Sequence, residues 1–176
     1  MIADWIADNL SLEYESTDFI AVSEFVLAWA FAERKIISTL NNNTGSLGCP
    51  VFRNILERNN NYRLNRHLNF AYIFFKNRYE SRQGQTKFNN LNFRRTERDC
   101  RLQSFQAIRA NNATDISKLK CVAYISSRIR NNLFHGNKNL GSLIQQQELI
   151  HAATQGIVGI TISFNLAEDS EILLQL

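Results

Sequence analysis

Ser126-Ser-Arg-Ile-Arg-Asn-Asn-Leu-Phe-His-Gly136 is the stretch on which the reading of this chain turns. Ahead of it and through it, Ile116, Leu119, Val122, Ala123, Ile129 and Leu133 recur at helical spacing, so it closes an amphipathic helix with Asp115 as the expected cap. The helix is expected to break at Gly136, a residue suited to a left-handed cap. At this end Arg130 is followed by Asn131, and His135 comes after four intervening residues. Arginine is a permanent cation whose planar donor fork suits phosphate. Histidine takes and returns protons near neutral pH. Cleavage of a phosphodiester uses both properties. In an unbroken helix five positions amount to about 500°, which would set Arg130 and His135 roughly 140° apart. They converge only if the helix loosens after Asn131 or Asn132, and Gly136 with Asn131, Asn132 and Asn137 permits that.

Composition agrees with a helical protein. The 176 residues are 44% hydrophobic, enough for one well-buried core, and one proline with seven glycines disfavours a turn-rich β fold. Cys49, Cys100 and Cys121 are odd in number and lack paired C-x-x-C spacing, so they read as buried, reduced thiols of a cytoplasmic protein. Met1-Ile-Ala-Asp-Trp5 has no basic leader ahead of an apolar run, so no signal peptide is expected. The most apolar stretch, Phe19 to Ala32, is too short and too charged to span a bilayer, and no membrane partner is expected.

Charge is unevenly placed. Residues 1–52 balance at −5, residues 53–138 at +13 and residues 139–176 at −4, within a net charge of +4. A basic middle predicts one positive face for a polyanion. The alternative is that the acidic ends neutralise it within the fold or across a dimer. Arg94, Arg98 and Arg101 are expected on one side of a helix over 91–110, with Leu102, Phe105 and Ile108 on its buried side. Few acids stand near those arginines, a pattern that phosphate contacts share. Glu97 is expected to pair with Arg101 at i,i+4.

The remaining elements follow from periodicity and breakers. Ile2 to Leu10 can dock as a short amphipathic piece. A first long helix is expected over Ser16–Thr39, capped by Thr17, with Phe19, Val22, Val26, Trp29 and Ile36 inward. The asparagine clusters at 41–43 and 59–61 read as turns around a short segment, Val51 to Arg58. Leu64 to Tyr79 reads as a helix in which His67 is a surface residue, and Ser81 to Asn90 as a mobile insert or lid. Leu140 to Phe164 closes the bundle, with Leu143, Ile150, Ile157, Thr161 and Phe164 inward. Gly156 and Gly159 there admit a neighbouring helix, although Ile157 to Phe164 is β-branched enough for a strand. Residues 167–176 form a candidate C-terminal arm onto a partner subunit. One domain over 1–176 is expected, all-α, a helical bundle with additional short helices.

Arg130-Asn131 followed by His135, at the end of a late helix, resembles the signature of the HEPN superfamily. Phe25-Val-Leu-Ala-Trp-Ala-Phe-Ala-Glu33-Arg34 is similar to the first long helix of plasmid-borne and abortive-infection-type members. The resemblance implies a metal-independent endoribonuclease of the toxin or phage-defence kind, cleaving RNA by attack of the ribose 2′-OH. It implies that Arg130 holds the scissile phosphate, that Asn131 orients the phosphate or His135, and that His135 is the proton-transfer group. Glu33 is the candidate acidic partner from an early helix, with Glu24 the second choice. Arg94, Arg98, Arg101, Arg128 and Lys138 are candidate RNA contacts. A homodimer with two motifs in one cleft is implied, with an antitoxin as a further candidate partner. The competing readings are an inactive HEPN-like module that binds RNA or nucleotide, and a scaffold or antitoxin partner of a separate enzyme. No P-loop, dinucleotide fingerprint, H-E-x-x-H or spaced carboxylate run is present, so neither cofactor nor metal is expected.

Overall fold

The computed structural model describes residues 19–39, 46–58, 64–134 and 145–163, and these form an all-α fold with no strand among them. Its helices are α1 (Ile20–Thr39), α2 (Cys49–Arg58), α3 (Arg66–Tyr79), α4 (Arg82–Asn89), α5 (Arg98–Arg109), α6 (Asp115–Phe134) and α7 (Gln147–Ser163). A 3-10 turn at Arg95–Glu97 precedes α5. The Ile2–Leu10 stripe, Thr17, Leu143, Phe164 and the 167–176 arm lie outside the described residues.

α6 and α7 form the centre. α7 packs against α1, α3 and α6, while α6 also meets α2, α3 and α5. Every residue from Cys121 to Ile129 is therefore buried. The β-branched part of α7 is helix to Ser163, not strand. Packing on several sides outweighs its local preference. The Thr154 and Thr161 hydroxyls donate to Ile150 O (3.0 Å) and Ile157 O (2.8 Å), one turn back.

Gly156 and Gly159 set how closely the central helices approach. A Cβ on Gly159 would stand 2.6 Å from Leu68 N and 2.9 Å from Leu68 Cα, and one on Gly156 would stand 2.6 Å from Val122 Cγ1. Asn65 fixes the same junction. Its Oδ1 caps α3 by accepting from Leu68 N (3.0 Å), and its Nδ2 donates to Gly159 O (2.8 Å) and Ser163 Oγ (2.9 Å).

On α1 the buried seam is Phe25, Trp29, Ala32 and Ile36. Val22 and Val26 are half-buried at its edge. Trp29 meets the Phe25 ring at 5.9 Å and the Phe52 ring of α2 edge-on at 6.2 Å.

Within the expected insert, Arg82–Asn89 is the helix α4, packed on α3. Ser81 caps α4 by accepting from Gly84 N (3.0 Å), a Gly84 Cβ would meet Arg78 O at 2.5 Å, and Phe88 is buried against Tyr79. The helix expected over 91–110 begins only at Arg98, because Asn92 turns the chain with φ 53° before the 3-10 turn, and Leu102 is exposed. The cap of α6 is Thr114, whose Oγ1 accepts from Ser117 N (3.3 Å), rather than Asp115, which pairs with Lys118 at 3.6 Å. All three cysteines are free and buried.

Alanine in place of glycine inside a helix ordinarily stabilises by up to about 1 kcal/mol. Gly159→Ala should reverse that sign, because its methyl group meets backbone that cannot rotate away. A loss of about 1–3 kcal/mol is expected in urea denaturation. Ser23→Ala, on the exposed side of α1, should move stability by no more than about 0.5 kcal/mol.

Candidate functional site

The last turns of α6 carry Arg130 and Asn131 of the motif. Ile129 is buried in the core, Arg130 and Asn131 are half-buried, and Arg128 is buried. Arg130 Nη1 donates to Asn131 Oδ1 (3.3 Å), and its guanidinium carbon stands 6.0 Å from the centre of the Trp29 ring. The cation is thus held between its neighbour's amide and an aromatic wall of α1. His135 and Lys138 lie outside the described residues.

Glu33 stands one helical turn beyond Trp29. Its Oε1 accepts from Leu47 N at 2.6 Å, which ties α1 to the chain entering α2. No ion pair joins it to Arg130 among the described residues. Glu24 is exposed.

Arg128 does not serve as the surface contact expected of it. Its Nη1 pairs with Glu97 Oε2 at 3.2 Å, its Nε donates to Leu91 O (3.1 Å) and its Nη2 to Asn92 O (2.6 Å). Both charged side chains are more than nine-tenths buried. Glu97 Oε2 also accepts from Arg94 N (2.8 Å). The expected Glu97–Arg101 pair is therefore replaced, because the 3-10 turn aims Glu97 inward at α6. Arg101 Nη2 donates instead to Asn89 Oδ1 (2.9 Å). Arg98 and Arg101 are exposed on α5, and Arg94 is exposed at the start of the 3-10 turn, off their helix. Asn132 Nδ2 donates to Leu91 O (3.3 Å), so the same loop is held by α6 twice.

Beside that loop the end of α6 borders a cleft of about 210 Å³, lined in part by Arg78, Lys87, Asn90, Asn132 and Gln146. The sequence reading missed it. Arg78 and Lys87 lie on different helices, and only the packing of α4 on α3 brings them to one place. The adjoining Tyr79 is buried, and burial pushes its phenol up to about 12.

The other histidines are not catalytic candidates. His67 is half-buried rather than solvated, with Nδ1 at 2.6 Å from Gln155 Oε1. His151 is exposed and meets the Phe70 ring edge-on at 5.9 Å. Among the described residues no group of three His, Cys, Asp or Glu could hold a metal, and no helix is long and apolar enough to cross a membrane.

Arg128→Met should cost about 3–5 kcal/mol in urea denaturation, since it leaves the Glu97 carboxylate buried without its cation. Arg128→Met combined with Glu97→Leu should cost less than the single change. An Arg128→Met protein of wild-type stability would show that the pair is dispensable. No family profile, curated protein or solved structure matches this chain.

Proposed function

We propose that the chain is a metal-independent endoribonuclease of the HEPN type, acting in a toxin or phage-defence role. The observation that carries the reading is the setting of Arg130, half-buried at the end of α6 with its guanidinium held between Asn131 and Trp29. A cation fixed in this way meets a phosphate without first being ordered. In the reaction, the ribose 2′-oxygen attacks the adjacent phosphorus and a base takes its proton. The bond to the 5′-oxygen breaks, and an acid protonates that leaving group. Arg130 stabilises the charge on the phosphoryl oxygens, Asn131 orients the guanidinium, and His135 moves the proton. Arg94, Arg98 and Arg101, with Lys138, are proposed to follow the flanking phosphates.

The second reading, a HEPN-like module that binds RNA or nucleotide without cutting, is favoured by the contact of Arg130 with the core residue Trp29. It gives the arginine a packing role that needs no chemistry.

Purified protein incubated with total RNA in EDTA separates the two. Cleavage is expected to persist in chelator and to disappear in His135→Ala and Arg130→Ala. Arg130→Ala should lose only about 0.5–1 kcal/mol of stability, the worth of a partly exposed cation–π contact. Intact RNA with wild-type protein, or full cleavage by both variants, would overturn the ribonuclease assignment.

The active species is proposed to be a homodimer with two motifs in one cleft, because one histidine per motif supplies one proton-transfer group where base and acid are both useful. Light scattering should give about twice the 20.3 kDa chain mass. Mixing His135→Ala chains with wild type should depress activity beyond simple dilution. A fully active monomer would remove the shared cleft and leave the chemistry standing.

A further inference from the structure

The cleft at the end of α6 has a chemistry of its own. Among the described residues two cations line it, Arg78 from α3 and Lys87 from α4, and no carboxylate does. Neither cation makes an ion pair among the described residues. Arg78 Nε is buried without a hydrogen-bond partner, and the guanidinium carbon lies 5.9 Å from the centre of the Tyr79 ring. The planar donor fork of Arg78 at the wall of the cleft, with Lys87 beside it, suits the oxygens of a phosphate. Three amides, Asn90, Asn132 and Gln146, add donors and acceptors of the kind that read the edge of a planar base. Apolar side chains including Leu91, Ile129 and Leu149 complete the lining, a surface for a flat ring or a sugar.

Size limits the occupant. At about 210 Å³ the cleft is smaller than the ~300–1,000 Å³ of drug-sized sites, so it suits a single small unit rather than a length of polymer. We propose that it binds one nucleoside monophosphate unit, with the phosphate on Arg78 and Lys87 and the base against the apolar wall and the amides. The unit is either a free mononucleotide or the 5′-phosphorylated end of an RNA. This site is separate from Arg130, which faces α1, and it does not require that the chain cuts RNA.

Calorimetric titration of the full chain, with heteronuclear NMR of Asn90 and Asn132, tests the assignment. The probes are adenosine 5′-monophosphate, adenosine, and a short RNA bearing either a 5′-phosphate or a 5′-hydroxyl. At least one phosphorylated probe is expected to bind one per chain, at least tenfold more tightly than its unphosphorylated counterpart, and less tightly as salt rises. Lys87→Glu should weaken it at least tenfold. Lys87 is exposed, so the fold is expected to survive that change. Arg78→Gln should weaken it further, and Arg130→Ala should leave binding of adenosine 5′-monophosphate unchanged, which separates this site from the proposed reaction. Equal binding of the monophosphate and the phosphorylated RNA identifies a free-nucleotide site, whereas binding of the RNA alone identifies a site for its end. The proposal is overturned if neither phosphorylated probe binds, if the unphosphorylated probes bind as well, or if Lys87→Glu and Arg78→Gln leave affinity unchanged.

Discussion

The ion pair between Arg128 and Glu97 is the constraint on which the functional end of the molecule depends. A buried arginine needs its charge balanced, and here the Glu97 carboxylate does that while two carbonyl oxygens, of Leu91 and Asn92, accept from its Nε and Nη2. The same carboxylate takes the backbone N–H of Arg94 and so shapes the turn before α5. One side chain from α6 thereby fixes a loop, a turn and the start of a helix. The end of α6 is left with two faces, one bearing Arg130 towards Trp29 and one bearing Asn132 towards the cleft.

The basic middle of the chain is less available to a polyanion than its count of cations implies. Arg128 is inside. Lys76 donates to Ile108 O (2.7 Å) and Ala110 O (2.9 Å), closing the C-terminal end of α5 where a positive charge is favoured, and it also meets Glu80 at 3.2 Å. Arg53 pairs with Asp99 at 3.1 Å. Arg94, Arg98 and Arg101 remain exposed, so positive surface persists at the turn before α5 and on α5 itself, and Arg82 and Lys87 add to it on α4.

The helices were legible because apolar periodicity is a property of each segment alone. α3, α6 and α7 were readable from their spacing, as were the close approaches at Gly156 and Gly159. Partner choice was not, since it depends on what packing brings near. Glu97 had Arg101 at ideal helical spacing and took Arg128, because the chain between Asn92 and Arg98 is not helix. Gly84 stands among polar residues with no apolar pattern to place it, and it lets α4 lie against the end of α3. Of the candidate site, Arg130 and Asn131 do touch one another at a helix end. The cleft beside them was invisible to any motif, because Arg78 and Lys87 belong to no common pattern.

The buried thiols carry one more consequence. Cys49 is fully enclosed at the start of α2, and its sulfur lies 2.9 Å from Ser127 Oγ and 3.6 Å from Tyr124 O, both on α6. The hydrogen bond that the Cys49 thiol donates to Cys100, together with burial, holds it well above the ordinary thiol range, so the folded molecule offers an alkylating reagent neither access nor thiolate. Its reaction then requires α2 to part from α6. The sulfur is a built-in clock for that local opening, ticking with the population of molecules in which the two helices are apart.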